Sequence, residues 1–294
     1  MVTILIPVFN EAQTIPAVIP QIADFCTQKG WQLLLVNDGS TDASKPLLAA
    51  LATEHAFTVV LHKVNQGYGA ALKTGIRHIS TEFILTMDAD GQHDIADCET
   101  LVDVLRRTEA DMVIGSRRGS TDASVWRGIG KSLIRSFASL LMPLHVYDIN
   151  SGMRIYRTDC AQRYLHLLPD TFSFSDILTL VFVNNKQLVV ESPITVRERR
   201  GGTSTISLQT AFETVMEIVN IAVLFNPMKV FLPVALGCFA LGVPWGIYIV
   251  SLGRGVSVGS SLLIITGILS FLLGLIAEQL SSIKKALRTE HRIQ

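Results

Sequence analysis

The stretch Thr81-Glu82-Phe83-Ile84-Leu85-Thr86-Met87-Asp88-Ala89-Asp90-Gly91-Gln92-His93-Asp94 decides the fold. An apolar run of strand length, Thr81–Thr86, leads directly into two carboxylates, so Asp88 and Asp90 fall where a buried strand runs out into a loop. Residues two apart on an extended backbone point the same way. Both acids can therefore converge on one divalent ion. Two carboxylates at this spacing, beside a glycine and the Gln92 amide, suit Mg²⁺ or Mn²⁺. These hard ions take a few protein oxygens and leave the rest of the shell to water and a substrate diphosphate. Taken alone, Asp-x-Asp is more often a solvated turn, and the rest of the chain decides between the two.

Upstream, Val2–Val8 reads as a first strand, followed by Asn10-Glu11 and a helical pattern through Ile15, Val18, Ile19, Ile22 and Phe25 that stops at Gly30. Leu33–Val36 is the next strand, ending in Asn37-Asp38-Gly39-Ser40-Thr41-Asp42, and Thr58–Leu61 a third. This rhythm predicts a mostly parallel sheet with helices on both faces, which binds ligands outside the carboxyl ends of its strands. Asp38 lies at one such end and Glu11 just beyond another, positioned for a nucleotide base or ribose hydroxyls. Asp42 or Ser44 is expected to cap the next helix. In Asn65-Gln66-Gly67-Tyr68-Gly69, two glycines open a helix and let the backbone approach a ligand, as in a phosphate loop without Walker spacing. Beyond the acidic motif, Ile95–Arg107 reads as a helix and Met112–Ile114 as a strand that carries Arg117 to the same rim.

Further on, Trp126–Met142 carries Arg127, Lys131 and Arg135 on a helical pattern suited to anionic headgroups. The segment Asp148-Ile149-Asn150-Ser151-Gly152-Met153-Arg154 precedes helices at about Thr158–Leu167 and Ser175–Asn185 and a strand at Leu188–Val190. Arg197–Arg200 before Gly201-Gly202 reads either as a phosphate-binding loop or as a basic patch for lipid. Ser207–Phe225 is amphipathic, either lying at a membrane interface or packing on the globular domain.

The chain has 294 residues and no net charge. That balance gives no support to a polyanion-binding role, so nucleic acid is not an expected partner. Its mean hydropathy of +0.40 is concentrated at the C-terminal end. Val230–Val250 and Val256–Ala277 contain no charged residue, and only Arg254 lies between them. Each run is about 20 residues, enough to cross a ~30 Å hydrocarbon core as a helix. Lys229 and the Arg197–Arg200 cluster precede the first span, and Lys284, Lys285, Arg288 and Arg292 follow the second. Basic flanks stay cytosolic, so both termini and the globular domain are expected on that side. The resulting division is residues 1–205 as catalytic domain, 206–227 as juxtamembrane helix and 228–294 as a two-span hairpin. Gly237 and Gly242 are small residues through which two chains could pair into a homo-oligomer. The four scattered cysteines read as reduced thiols, and no cleaved leader is evident.

Together, Ile6-Pro7-Val8-Phe9-Asn10-Glu11, Val36–Asp42, Asn65–Gly69, Asp88–Gln92 and Gly115-Ser116-Arg117 resemble family-2 glycosyltransferases of the GT-A fold. Asp148–Arg154 and Arg200-Gly201-Gly202-Thr203-Ser204, followed by paired spans, are similar to the polyprenyl-phosphate branch that includes dolichol-phosphate mannose synthases. The resemblance implies inverting transfer of one hexose from a nucleotide-diphosphate sugar to an undecaprenyl or dolichyl phosphate at the bilayer. It assigns the nucleotide sugar to Pro7, Asn10, Glu11, Asp38, Gly67, Lys73, Asp88, Ala89, Asp90 and Arg200. Asp88, Asp90 and Gln92 would hold the metal. Arg117, Arg127 and Lys131 would meet the lipid phosphate, with Asp88, Asp90, Asp148 and Arg117 forming the catalytic group. Thr205 stands where the family often has lysine.

The alternatives are a silent membrane scaffold or flippase-associated subunit, and a family-2 enzyme with a different acceptor. A processive polymer synthase is disfavoured because the chain lacks Gln-x-x-Arg-Trp and two helices cannot enclose a polymer channel.

Overall fold

The computed structural model describes residues 1–117, 146–149, 151–195 and, apart from 217, 221 and 224, 215–290. Two compact units result, one built on a sheet and the other on two long helices. The strands are β1 (Val2–Val8), β2 (Gln32–Asn37), β3 (Thr58–Leu61), β4 (Phe83–Thr86), β5 (Met112–Ser116), β6 (Arg154–Arg157) and β7 (Val189–Pro193). They form one sheet in the order β3-β2-β1-β4-β6-β5-β7. Between them run α1 (Ile15–Lys29), α2 (Ser44–Glu54), α3 (Tyr68–His78), α4 (Ile95–Thr108), α5 (Thr158–Tyr164) and α6 (Phe174–Asn184).

Covered on both faces, the central strands are apolar runs rather than alternations. Ile4, Leu5, Ile6, Leu35, Ile84 and Leu85 are completely buried. Fully burying each such side chain stabilises the fold by about 1.5–3 kcal/mol before chain entropy is subtracted. The helix ends follow local chemistry. Gly30 takes the left-handed conformation (φ 64°) that closes α1, and the Asp94 carboxylate caps α4 by accepting from the Ala96 N–H at 3.1 Å.

Strands β1 to β4 run parallel, as the sequence predicts, and β6 is the strand it misses. Four residues long with an arginine at each end, β6 lacks the apolar run that marks a buried strand. It lies antiparallel between β4 and β5, with Arg154 opposite both Thr86 and Ile114. An antiparallel strand begins where its parallel neighbours finish. Residues just before β6 are therefore delivered to the rim where Asp88 and Arg117 emerge.

In the second unit, α7 (Met228–Ser251) and α8 (Val258–Glu290) contain two stretches long and apolar enough to cross a membrane, Met228–Ser251 and Val258–Ser281. The Ser260 hydroxyl donates to the Gly242 carbonyl at 2.7 Å, and Ser270 to the Phe231 carbonyl at 3.2 Å. Gly242, one of the two small residues through which chains could pair, packs against Leu263, Ile264 and Ser260 of the same hairpin. Gly237 has nothing within 4 Å of where a side chain would begin. Arg127, Lys131 and the helix around them, Arg200 and its loop, and residues 206–214 lie outside the described residues.

Candidate active site

The carboxyl ends of β1, β2, β4 and β5 open onto one rim, and its loops are tied to one another. Asn10, at φ 55°, accepts from the Thr41 N–H at 2.8 Å, while the Asn10 N–H donates to the Ser40 hydroxyl at 3.0 Å. The Glu11 N–H donates to Ser44 Oγ at 2.9 Å, and the Ala12 N–H to Asp42 Oδ2 at 3.0 Å. Asp42 Oδ1 also accepts at 2.9 Å from the Ser44 N–H, the first of α2, so Asp42 and Ser44 serve both the helix start and the neighbouring loop, while Ala43 at the N-cap position makes no side-chain bond. They staple the β2–α2 loop to the β1–α1 loop. Glu11 accepts from the Thr14 hydroxyl at 2.9 Å, and Pro7 sits half-buried in β1 opposite Val36.

Asp38, 2% exposed, has both carboxylate oxygens engaged. Oδ1 accepts from the Gln66 N–H at 2.9 Å and lies 2.7 Å from His62 Nδ1, while Oδ2 accepts from the Gly67 N–H at 2.8 Å. His62 Nε2 is in turn 2.9 Å from the Thr74 hydroxyl. Asp38 thus fixes the loop that opens α3.

The two glycines of that loop also have a structural occupant. The Gly69 and Ala70 N–H groups donate to the Asp170 carbonyl at 2.9 and 3.3 Å. A side chain on Gly67 would collide with that carbonyl, and one on Gly69 with the Pro169 carbonyl. The N-terminus of α3, read from sequence as a cradle for a ligand, receives the backbone of residues 169–171. Lys73 pairs with the Asp170 carboxylate at 2.8 Å, and a polar cavity of about 240 Å³ is lined by Gln66, Ala70, Lys73, Thr74, Arg77 and Asp170.

At the end of β4 the Asp88 carboxylate is gripped from several sides. The Tyr68 hydroxyl donates to Oδ1 at 3.1 Å, and His93 Nε2 lies 3.8 Å from Oδ2. Gly152 leaves room for Oδ2, which any side chain there would strike. Burial works to raise the Asp88 pKa, but His93, the Tyr68 hydroxyl and the more distant Arg117 outweigh it and hold the carboxyl below its ordinary range. Ala89 is buried, and Asp90, 9% exposed, accepts from the Gln92 N–H at 3.1 Å.

Among the described residues no three His, Cys, Asp or Glu side chains gather to hold a metal. The donor set here is two carboxylates and the Gln92 amide. That fits Mg²⁺ or Mn²⁺, which complete their shells with water and substrate phosphate, and does not fit a metal caged by protein alone. An Asp88 held ionised fits as well.

Arg117, expected at an acceptor phosphate, forms a bidentate pair with Asp148. Nε to Oδ2 and Nη2 to Oδ1 are both 2.8 Å, and the Arg117 N–H adds a bond to Oδ2 at 3.1 Å. Asp148 is itself positioned by Glu191, whose Oε1 accepts from the Asp148 and Tyr147 N–H groups at 2.7 and 2.8 Å.

Behind this pair lies Arg154, 1% exposed. Its guanidinium donates to Ser151 O, to Ile149 O at 3.2 Å, to Ser175 O at 2.6 Å and to Thr179 Oγ1 at 2.9 Å. A cation satisfied by neutral oxygens thus welds Ile149 and Ser151 to α6. Asp176, in the first turn of α6, is 5% exposed, and its Oδ1 has no hydrogen-bond partner. Burial raises its pKa to about 7, against the lowering effects of Arg154 and Arg117.

Tyr68, His93, Arg154, Asp176 and Glu191 are therefore the residues that sequence reasoning left without roles. A lone charge in the mostly apolar run Phe174–Phe182 was the available signal for Asp176; Tyr68 and His93 offered none beyond their place in motifs already noticed.

Comparison with known proteins bears on this rim directly. The description Glycosyl transferase family 2 matches residues 3–165, and GtrB C-terminal hairpin matches residues 226–283. The undecaprenyl-phosphate 4-deoxy-4-formamido-L-arabinose transferases of Salmonella typhimurium and Salmonella newport are each 27% identical over 224 residues. The match takes in 74% of this chain and 66% of each relative, just under two thirds of their length.

Among solved structures, glucosyl-3-phosphoglycerate synthase from Mycobacterium tuberculosis with Mn²⁺, UDP-glucose and phosphoglyceric acid has a TM-score of 0.57 at 17% identity, covering 76% of this chain and 79% of that one. S. aureus TarS 1–349 with UDP-GlcNAc gives 0.55 at 16%, covering 76% and 66%. At such identities these neighbours establish the fold, which is that of GT-A enzymes. The family match spans more than half of the chain and contains every strand-end acid described above: the protein belongs to glycosyl transferase family 2.

Proposed function

We propose that this protein transfers a single hexose, with inversion, from a nucleotide-diphosphate sugar to a polyprenyl phosphate at the membrane surface. The observation that carries the reading is the presence on one chain of a family-2 rim, with Asp88 held ionised beside Asp90, and a matched C-terminal hairpin of two membrane-length helices. Undecaprenyl phosphate is the acceptor named for the Salmonella relatives, which supports a lipid phosphate here.

The chemistry explains why no strong base is prominent. A phosphate monoester has its second pKa near ~6, so the acceptor is already an anionic nucleophile at neutral pH. The site must hold two anions together and stabilise the leaving diphosphate. Asp88, Asp90 and Gln92 would hold Mg²⁺ or Mn²⁺, which supplies charge neutralisation to that diphosphate when bound.

Asn10, Glu11 and Pro7 line the nucleotide side, with Asp38 fixing the Gln66–Gly67 backbone beside them and Lys73 flanking it. Arg117, oriented by Asp148, contributes positive charge toward the acceptor, in company with Arg127 and Lys131, and Arg200 closes over the donor. Basic flanks on both spans support a cytosolic side for the catalytic domain and both termini.

A donor screen tests the reading. Purified full-length protein in detergent is given Mn²⁺, a polyprenyl phosphate and radiolabelled UDP- or GDP-hexoses, and label entering the organic phase is scored. Transfer from one donor is expected. Nucleotide release only with a soluble acceptor would overturn the lipid assignment.

A further inference from the structure

We infer that Tyr68 is a positioning residue for the metal-binding carboxylate Asp88, and that the loop 169–172 supports it through Phe172. The inference rests on the metal reading above and extends it to residues outside the acidic motif.

The argument begins with Asp88. Residues in a loop after a strand end keep rotamer freedom unless neighbours remove it, and a metal ligand that must be ordered at the moment of binding weakens the site. Here the Tyr68 hydroxyl fixes Oδ1 at 3.1 Å, while Oδ2 is confined between His93 Nε2 at 3.8 Å and the backbone of Gly152. Tyr68 donates and does not accept in this bond.

Tyr68 is itself fixed. It is the first residue of α3, where Gly67 and Gly69 admit the 169–171 backbone and two N–H groups bind the Asp170 carbonyl. Lys73 anchors the same loop through the Asp170 carboxylate at 2.8 Å. Phe172 then stacks on the Tyr68 ring, with centroids 5.6 Å apart and planes 17° from parallel. Phe172 is 59% exposed, so its ring contributes less to the core than to this one contact. A continuous path thus runs from an exposed aromatic through Tyr68 to a carboxylate of the Asp-x-Asp motif. Outer contacts that orient ligands of this kind change metal affinity or activity by about 10–100-fold when removed.

The test compares wild type, Y68F, F172A, F172Y and D90N as full-length protein in detergent. Mn²⁺ binding is read by electron paramagnetic resonance in the presence of nucleoside diphosphate, and the Mn²⁺ dependence of turnover is read in parallel. Y68F is expected to weaken Mn²⁺ binding about 10-fold while turnover at saturating Mn²⁺ stays near wild type. F172A should shift in the same direction by less, and F172Y should restore the wild-type value; the exposed position of Phe172 makes these variants informative even if Y68F does not fold. Unchanged Mn²⁺ binding in both Y68F and F172A, with D90N abolishing it, would overturn the positioning role and leave the metal site standing. No Mn²⁺ binding by wild type itself would overturn both.

Discussion

The two halves of the rim are built differently. On the side of β1, β2 and β4, Asn10, Glu11, Asp38, Asp88 and Asp90 sit just past largely apolar parallel strands, and the loops are tied by short polar side chains to backbone N–H groups. On the side of β5 and β6, the site is held by charge: Arg117 with Asp148, and Arg154 buried among carbonyls with Asp176 behind it. The first half relies on regular backbone and small staples. The second relies on buried ions, which are costly to desolvate and more damaging to remove.

Removing Arg154 should give the largest effect. R154A removes the guanidinium bonds to the Ser151, Ile149 and Ser175 carbonyls, of which Ile149 and Ser175 keep only the Thr179 hydroxyl nearby, and a hydrogen bond to a charged group is worth about 1.5–3 kcal/mol. Loss of several kcal/mol lowers the melting temperature by about 10 °C in a domain of this size. A thermal melt in detergent that falls by only a degree or two would dissolve the contrast between the halves.

A smaller, pH-dependent effect belongs to Asp176. Its folded pKa of about 7 lies above the unfolded carboxylate value, so the folded state keeps a proton that the unfolded chain has already lost. Its contribution to stability therefore falls as pH rises from ~4 toward 7. D176N should match wild type near pH ~4, where both states hold the proton, and melt progressively higher as pH rises, by at least about 2 °C at pH 8, roughly 1 kcal/mol. An equal shift at both pH values would contradict the buried titration. The smallest change is expected in the other half, where D42A removes acceptors from the Ala12 and Ser44 N–H groups. The expected loss is about 1 kcal/mol, seen as faster hydrogen exchange at residues 10–14.

This contrast also explains what was legible in the sequence. Apolar runs ending in acids announce parallel strands and their rim, so β1, β2, β3, β4 and β5 and the positions of Glu11, Asp38, Asp88 and Asp90 could be read directly. The strand β6 could not, because Arg154 and Arg157 suggest solvent and only the folded sheet shows that Arg154 is buried. Gly67 and Gly69 were legible as a close approach, but a glycine does not say what approaches; here it is the 169–171 backbone. Likewise Asp42 and Ser44 carry cap chemistry, which Asp42 uses at the Ser44 N–H, but their further targets, the N–H groups of Glu11 and Ala12 on a neighbouring loop, could not be read.

The central claim is that the Asp88–Asp90 rim performs glycosyl transfer onto a lipid phosphate. Its most direct test is the transfer of labelled hexose into the organic phase by wild type and D90N, side by side with Mn²⁺, polyprenyl phosphate and the donor identified by screening. The account predicts turnover by wild type and a loss of at least about 10³-fold in D90N, with the variant still folded and associated with detergent micelles. Near-normal transfer by D90N would contradict it.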